Sequence, residues 1–164
     1  MKLKCLIGEC FSPTLVKIAV EKGYVASTCL RDRGWLGLTD PQLVRRAIAD
    51  DHTIVTRNCI DFRGPRRGQP AGLLQREPIH AGFIGLVSAR RMTQQLQAYL
   101  FEVALDNVDA TNELINKALE VWEKHDGTVE IFAYDIPVPS STKTISSVDN
   151  IDRSPAKAAS GRLD

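Results

Sequence analysis

The sequence lacks several features that would assign it to a functional class directly. It has no apolar run near the roughly 18 residues that a membrane-spanning helix needs. It has neither the G-x-G-x-x-G pattern of dinucleotide-binding domains nor a P-loop. Neither sign of charge prevails, because 21 Lys and Arg residues stand against 20 Asp and Glu residues. A general basic coat for non-specific nucleic-acid binding is therefore excluded, although a local basic patch is not.

The cysteines also lack a pattern. None of the four forms a C-x-x-C pair, and no His follows them at zinc-finger spacing. Cysteines without a pattern in a chain of this size are typical of buried, small hydrophobic side chains in a reducing compartment. We therefore expect no zinc centre, and we expect the protein to be cytoplasmic. The residues concerned are Cys5, Cys10, Cys29 and Cys59.

The length and composition predict one domain followed by a tail. The chain has 164 residues, of which 43% are hydrophobic, and this is enough for a single core. Pro137 and Pro139 mark the expected end of a domain over residues 1–139. Residues 140–164 hold six serines and no aromatic residue, so we expect them to be flexible or to be ordered by a partner.

The first 29 residues predict a strand, a helix and a second strand. Residues 2–7 are an apolar, strand-like run, and Ser12-Pro13 is a signal for a helix start. Gly23 is a natural helix end, and residues 24–29 read as the next strand. Such a unit implies two parallel strands joined by a crossover helix.

The same alternation continues along the chain. Thr39-Asp40-Pro41 predicts a second helix, with Asp40 at its cap, and residues 53–56 predict a third strand. Residues 82–87 predict a fourth strand, and residues 92–108 form the longest helical pattern. The expected fold is therefore α/β, with a mostly parallel sheet sandwiched by helices.

Two interpretations of the C-terminal part remain open. Asp109 can cap a further helix that extends towards Ala118. Asp126-Gly127 lies between two alternating segments and favours a β-hairpin, followed by the extended tail. One long helix over residues 110–125 is the alternative.

Three carboxylates and an amide follow predicted strands or open a predicted helix. Glu9 follows the first strand, Asp40 opens the second helix, and Asn58 and Asp61 follow the third strand. Because sites in open parallel sheets form beyond the carboxyl ends of the strands, these side chains are expected at one edge. Carboxylates that gather in this way suit Mg²⁺ or Mn²⁺, which can activate water for attack on a phosphodiester.

A simpler interpretation explains each acid by itself. Asp40 before Pro41 is accounted for as a helix cap, which contributes about 1 kcal/mol. Glu9 is then a solvated loop residue, and Asp61 caps a short turn. The spacing of these residues does not choose between the two interpretations.

Three segments together resemble PIN-like nuclease domains. Residues 6–13, LIGECFSP, resemble the opening of that family, in which a strand is followed by acids, Ser-Pro and a helix. Residues 38–40, LTD, resemble its second acidic position, and residues 55–62, VTRNCIDF, resemble its Thr-Arg-Asn…Asp-Phe signature. The order of elements and acids agrees over residues 2–87, and no motif anchors the part beyond residue 90.

The resemblance implies a PIN-like fold and an Mg²⁺- or Mn²⁺-dependent ribonuclease, similar to the toxins of bacterial VapBC-type toxin–antitoxin pairs. Glu9, Asp40 and Asp61 would ligate or position the metal, and Asn58 would assist. A protein antitoxin, an RNA substrate and a homodimer are implied as partners, with no membrane.

One position departs from the family pattern. The first acid of the family falls on Gly8, so the site loses one negative charge and one ligand. Adjacent strand residues point to opposite faces, so Glu9 does not replace the missing carboxylate unless the chain turns there. Gly8 is either a natural degeneration, which leaves a non-catalytic module for an antitoxin or RNA, or an inactivating substitution.

A receiver-like phosphorylation domain fits less well, since no Lys follows a later strand as such domains require.

Several residues near these motifs are candidates for RNA binding. Arginines around the third acidic motif could offset the repulsion between phosphates and carboxylates. Trp35 could stack on a base, or could instead anchor its loop over the core. The candidate arginines are Arg57, Arg63, Arg66 and Arg67.

Overall fold

The computed structural model describes residues 2–68 and 71–136. Within these ranges the chain forms a six-stranded sheet in the order β2-β1-β3-β4-β5-β6, and its first five strands are parallel. The expected α/β fold with a mostly parallel sheet is confirmed. The strands are β1 (Cys5–Ile7), β2 (Thr28–Cys29), β3 (Thr53–Thr56), β4 (Phe83–Ser88), β5 (Lys117–Glu123) and β6 (Val129–Asp135).

Helices cover both faces of the sheet because the strand residues alternate between two hydrophobic clusters. One cluster joins Ile7, Val55 and Ile84 to the helices over residues 14–21 and 94–106, and the other joins Leu6 and Ile54 to the helices over residues 40–49, 59–63 and 72–75. No helix in the described part of the chain is both long and apolar enough to cross a bilayer. The helices are α1 (Thr14–Glu21), α2 (Leu30–Arg33), α3 (Asp40–Ala49), α4 (Cys59–Arg63), α5 (Gly72–Gln75) and α6 (Gln94–Asp106).

The C-terminal hairpin is confirmed, and the single long helix is excluded. Strands β5 and β6 pair antiparallel around Asp126-Gly127, and the Asp126 carboxylate accepts a hydrogen bond from the Thr128 backbone N–H at 2.9 Å. The helix predicted from Asp109 is wrong, because Asn112 and Asn116 have φ values of 59° and 53°. Residues 137–164, which include the predicted tail, lie outside the described residues.

Two further differences from the sequence predictions lie near β1 and β2. The second strand was expected over residues 24–29, but Tyr24 and Ser27 form a turn in which the Ser27 N–H donates to the Tyr24 carbonyl. The loop that carries Trp35 is preceded by the single turn of α2, which the sequence did not predict and which Gly34 ends at φ 73°. Of the four cysteines, three are buried, whereas Cys10 is exposed.

A buried carboxylate holds the end of α4 against β5 and β6. Glu120 is fully buried and pairs with Arg63, whose Nε lies 2.8 Å from Glu120 Oε2. Arg67, Trp122 and Tyr134 also donate hydrogen bonds to the same carboxylate. Burial opposes ionisation of Glu120, but the hydrogen bond from Arg63 and the two arginine charges outweigh it and lower the pKa of Glu120. Glu120 therefore remains ionised and fixes four side chains.

We expect Glu120→Gln to lower the free energy of unfolding by about 3–5 kcal/mol, because Arg63 would be left buried without a charged partner. Urea denaturation of the parent and the variant at neutral pH measures this change. Glu21→Gln, an exposed substitution on α1, is the matched control and should change stability by less than about 0.5 kcal/mol. Equal losses in the two variants would contradict the role assigned to Glu120.

Candidate functional site

The candidate site lies at the carboxyl ends of β1 and β3, which are neighbours in the sheet. Ile7 pairs with Val55, and the Gly8 N–H donates to the Val55 carbonyl at 2.9 Å, so the two strands end together. The chain then leaves β1 through Glu9 and leaves β3 through Arg57 and Asn58. The acids that follow both strands are therefore brought to one edge of the sheet, as sites in parallel sheets require.

Two of the three predicted acids meet across an amide. Asn58 Nδ2 lies 2.6 Å from Asp61 Oδ2 and 3.3 Å from Asp40 Oδ2. Asn58 is held by its own backbone N–H, which donates to Thr56 Oγ1 at 3.0 Å, and its side chain makes no capping bond to α4. One neutral NH2 group, with its two N–H donors, thus stands between the two carboxylates.

Asp40 is not the cap of its helix. The cap of α3 is Thr39, whose hydroxyl accepts from the Gln42 N–H at 3.3 Å, while the Gln42 side chain accepts from the Thr39 N–H at 2.9 Å. The interpretation of Asp40 as a capping residue is therefore wrong. Its carboxylate faces Asn58 and Asp61 instead. Burial, followed by the negative charge of Asp61, raises the pKa of Asp40 above its ordinary value.

Glu9 takes a different part in the site. Its Oε1 accepts a hydrogen bond from the Gly37 N–H at 3.2 Å, so it holds the loop that follows α2. Within residues 2–68 and 71–136, no group of three or more His, Cys, Asp or Glu residues could hold a metal ion. The predicted three-acid ligand set of Glu9, Asp40 and Asp61 is thus not assembled, because Glu9 serves the loop.

Gly8 is tightly packed, and this affects any larger residue there. A Cβ atom at this position would lie 2.9 Å from the Val55 carbonyl oxygen and 3.7 Å from Cys10 Sγ. The first of these contacts is with backbone, so a side chain at position 8 requires a small shift of β1 or β3. The absence of a carboxylate at Gly8 and the engagement of Glu9 leave Asp40 and Asp61 as the acids that face each other.

A divalent cation fits this remaining pair. Mg²⁺ keeps most of its water and is commonly held by one or two carboxylates, so a third acid is not essential. Burial is the largest cause of the raised pKa of Asp40, and the negative charge of Asp61 is the second, so a cation beside the pair would relieve the repulsion between the two carboxylates. Asn58 is placed to assist them. The two carboxylates thus have the ligand chemistry that suits Mg²⁺ or Mn²⁺, whereas Asn58 turns its NH2 group towards them and positions them.

The predicted RNA-binding arginines fall into two groups. Arg57 and Arg66 are exposed, as RNA binding requires, and Arg57 directly precedes Asn58. Arg63 is buried and pairs with Glu120 through Nε and Nη2, so its assignment as a phosphate contact is wrong. Arg67 is only partly exposed, and its Nε donates to Glu120 at 3.1 Å.

Trp35 does not offer a free ring face. It is 8% exposed and belongs to the hydrophobic cluster under α3. The guanidinium carbons of Arg33 and Arg46 lie 4.4 and 5.4 Å from the ring centroid, and His52 meets the ring edge-on. Base stacking on Trp35 is therefore corrected to the alternative, a loop anchor over the core.

Sequence reasoning missed the role of Glu120 and of its partners Trp122 and Arg67. A signal was present, since Glu120 interrupts the apolar residues Leu119 and Val121 in a predicted strand. A charged residue in a buried strand needs a partner of opposite charge. The sequence offered no means to identify Arg63 as that partner, because 57 positions separate the two residues.

Comparison with known proteins found a relative by sequence similarity. The chain is 40% identical over 89 residues to y4eN of Sinorhizobium fredii (strain NBRC 101917 / NGR234), which is described as an uncharacterized protein. The match covers 51% of this chain and 82% of y4eN. No protein-family model matches the chain, and no solved structure matches it significantly.

The repulsion between the two carboxylates predicts a dependence of stability on charge and pH. A raised pKa means that the folded state holds the Asp40 proton more tightly than the unfolded state does. The free energy of unfolding should therefore fall as pH rises from the ordinary Asp pKa through the raised one. Asp61→Asn should lower the pKa of Asp40 and raise stability at pH 7 without divalent cations. Carboxyl NMR titration and urea denaturation measure the two effects.

Asp32→Asn, on exposed α2, is the matched control, since it removes a carboxylate from outside the pair. It should leave the pKa of Asp40 unchanged. If Asp61→Asn left that pKa unchanged and destabilised the protein at pH 7, the two carboxylates would not be in electrostatic conflict.

Proposed function

We propose that the chain, which belongs to the same protein family as y4eN, is a divalent-cation-dependent ribonuclease of the PIN-like type, acting as the toxin of a toxin–antitoxin pair. The observation that carries this proposal is the Asp40–Asn58–Asp61 contact at the carboxyl edge of a parallel sheet. Since y4eN is itself uncharacterized, the proposal depends on the site and on the PIN-like motifs.

Asp40 and Asp61 would hold Mg²⁺ or Mn²⁺, and Asn58 would keep the two carboxylates in place. A bound divalent ion supplies an activated water and stabilises the leaving oxygen of a phosphodiester. Arg57 and Arg66 are exposed close to α4 and would offset the repulsion between an RNA phosphate and the carboxylates. The chain thus offers two carboxylates that would hold the divalent ion and two exposed arginine side chains that would face the RNA.

The proposed activity is weak because the acidic set is incomplete. Gly8 contributes no carboxylate, and Glu9 is held by the Gly37 N–H. A site with two acids binds a divalent cation less tightly than one with three, since each lost carboxylate removes a negative charge and a ligand. Our proposal is therefore a ribonuclease with reduced cation affinity, and not a fully active one.

A non-catalytic PIN-fold module that binds an antitoxin or RNA is the second candidate. The placement of Glu9 on the loop favours it, because that contact removes the acid next to Gly8 from the cation site. The protein antitoxin and the homodimer are proposals that rest on the PIN-like resemblance, and the cytoplasmic location is a proposal that rests on the unpatterned cysteines. They apply equally to the catalytic and the non-catalytic candidate.

Cleavage of single-stranded RNA with Mg²⁺ or Mn²⁺ separates the two candidates. We expect slow cleavage by the parent that EDTA stops, and a rate at least about tenfold lower for Asp61→Asn, because half of the cation-holding charge is lost. Gly8→Asp should increase the rate by adding the missing carboxylate. A gel assay with end-labelled RNA measures all of these rates.

Gly8→Ala is the matched control for Gly8→Asp, since both substitutions place a Cβ atom against the Val55 carbonyl. An increase in the Asp variant alone assigns the effect to the carboxylate and not to the shift of the strands. If neither the parent nor Gly8→Asp cleaves RNA with either ion, the ribonuclease proposal fails and the binding module replaces it.

A further inference from the structure

A cleft lies at the same edge of the sheet as the Asp40–Asp61 pair, beyond the ends of β4 and β5. Its volume is about 510 Å³, within the range of small-ligand pockets. Val87 and Trp122 are register partners on neighbouring strands, and both line the cleft. Neither of them belongs to the candidate cation site, so the cleft is a separate feature of the molecule.

Trp122 is a fixed, partly exposed aromatic side chain in this cleft. Its Nε1 donates to Glu120 Oε1 at 2.7 Å, and this bond sets the orientation of the ring. The guanidinium carbon of Arg67 lies 3.6 Å from the Phe132 ring centroid and 5.2 Å from that of Trp122, so Arg67 covers Phe132 more closely, and Trp122, unlike the buried Trp35, stays partly exposed. A ring that is held in advance loses little freedom when a ligand stacks on it. Aromatic side chains beside cations are the platforms on which proteins stack unpaired bases.

The topology places the cleft within reach of the acid pair. Thr56, Gly85 and Glu120 are in register across β3, β4 and β5, so these strands lie side by side near the carboxyl edge. Two strand spacings amount to about 10 Å. A single strand of RNA covers this distance with a few nucleotides, given a rise of about 3.4 Å per nucleotide in helical form.

The charges in and near the cleft favour a base over a phosphate as its occupant. The carboxylate of Glu123 is held by Ser88 and Arg90, and that of Glu130 faces Lys124 at 3.3 Å. Asp126 also lines the cleft, and its carboxylate accepts hydrogen bonds from Thr128. The three acids of the lining outnumber its one lysine, so the cleft disfavours a phosphate. Arg66 lies outside it, is exposed, and directly precedes Arg67. A phosphate would thus lie near Arg66, and the base attached to it would enter the cleft.

We infer that this cleft is a nucleobase subsite, in which Trp122 stacks an unpaired base of a single-stranded RNA whose backbone crosses the Asp40–Asp61 pair. The inference rests on the proposed ribonuclease function and adds to it a selection for unpaired RNA. Paired bases have their faces covered by neighbouring bases, so a duplex cannot place a base on Trp122 without unstacking it.

Tryptophan fluorescence tests the inference directly, because the chain has only two tryptophans. In a Trp35→Phe variant, Trp122 is the sole tryptophan. We expect a single-stranded oligoribonucleotide of ten nucleotides, added in EDTA to prevent hydrolysis, to quench its emission. The same sequence as a duplex should quench it much less at equal concentration.

Binding affinities provide the second readout. Trp122→Ala should weaken binding of the single strand about tenfold, and Trp122→Phe should weaken it less because it keeps an aromatic ring. Tyr99→Ala is the matched control, since Tyr99 is an exposed aromatic residue on α6. It should bind RNA as the parent does.

The outcomes separate this inference from the proposed function. If Trp122→Ala binds RNA like the parent, or if the duplex quenches as strongly as the single strand, the assignment of the cleft as a nucleobase subsite is wrong. RNA cleavage by the parent would still decide the ribonuclease proposal. If Trp122→Ala does not fold, as circular dichroism would report, the quenching in Trp35→Phe decides alone. Quenching by the single strand, together with no cleavage by any form, would support the subsite in a non-catalytic RNA-binding module.

Discussion

The ionised carboxylate of Glu120 sits in the middle of β5 with no access to solvent. Removing such a charge from water costs several kcal/mol, so it is kept only when its oxygens are fully hydrogen-bonded. Arg63, Arg67, Trp122 and Tyr134 provide those bonds, and burial together with the Glu120 charge raises the pKa of Tyr134, so that its hydroxyl keeps its proton. These four side chains come from the end of α4, from the segment that follows it and from both strands of the hairpin. The arrangement of that half of the molecule therefore depends on one carboxylate.

The two acids at the edge of the sheet, Asp40 and Asp61, are much less well hydrogen-bonded than Glu120. Asp40 and Asp61 both accept from the side-chain NH2 group of Asn58, and neither lies within ion-pair distance of a cationic side chain among the described residues. The buried carboxylate of Glu120 accepts several hydrogen bonds, whereas Asp40 and Asp61 repel each other. The unfavourable electrostatic energy is therefore concentrated at the Asp40–Asp61 pair. Uncompensated charge of this kind is typical of functional sites, where a ligand completes the balance.

The elements that could be predicted from the sequence are those whose signals are local. Strand β3 at Thr53–Thr56 and the hairpin around Asp126-Gly127 follow from apolar runs and turn chemistry, and both were correctly predicted. Contacts between distant residues were not accessible in this way. Thr39 and Gln42 cap α3, so the Asp40 side chain is available to the site, whereas Glu9 binds the Gly37 N–H instead. Both contacts depend on three-dimensional geometry that cannot be read from the spacing of residues in the sequence. For the same reason Arg63 was assigned to RNA, although Glu120 pairs with it in the core.

Helix α4 connects these two electrostatic arrangements. With five residues it is too short to be stable by itself, so contacts at its two ends determine where it lies. At its start, Asn58 and Asp61 face Asp40, and at its end Arg63 is bound to Glu120, which also orients the Trp122 ring. The acid pair and the cleft are thus fixed relative to each other through a buried ion pair and not through a loop. A substrate that touches both would meet a preformed spacing, which reduces the entropy that binding must overcome.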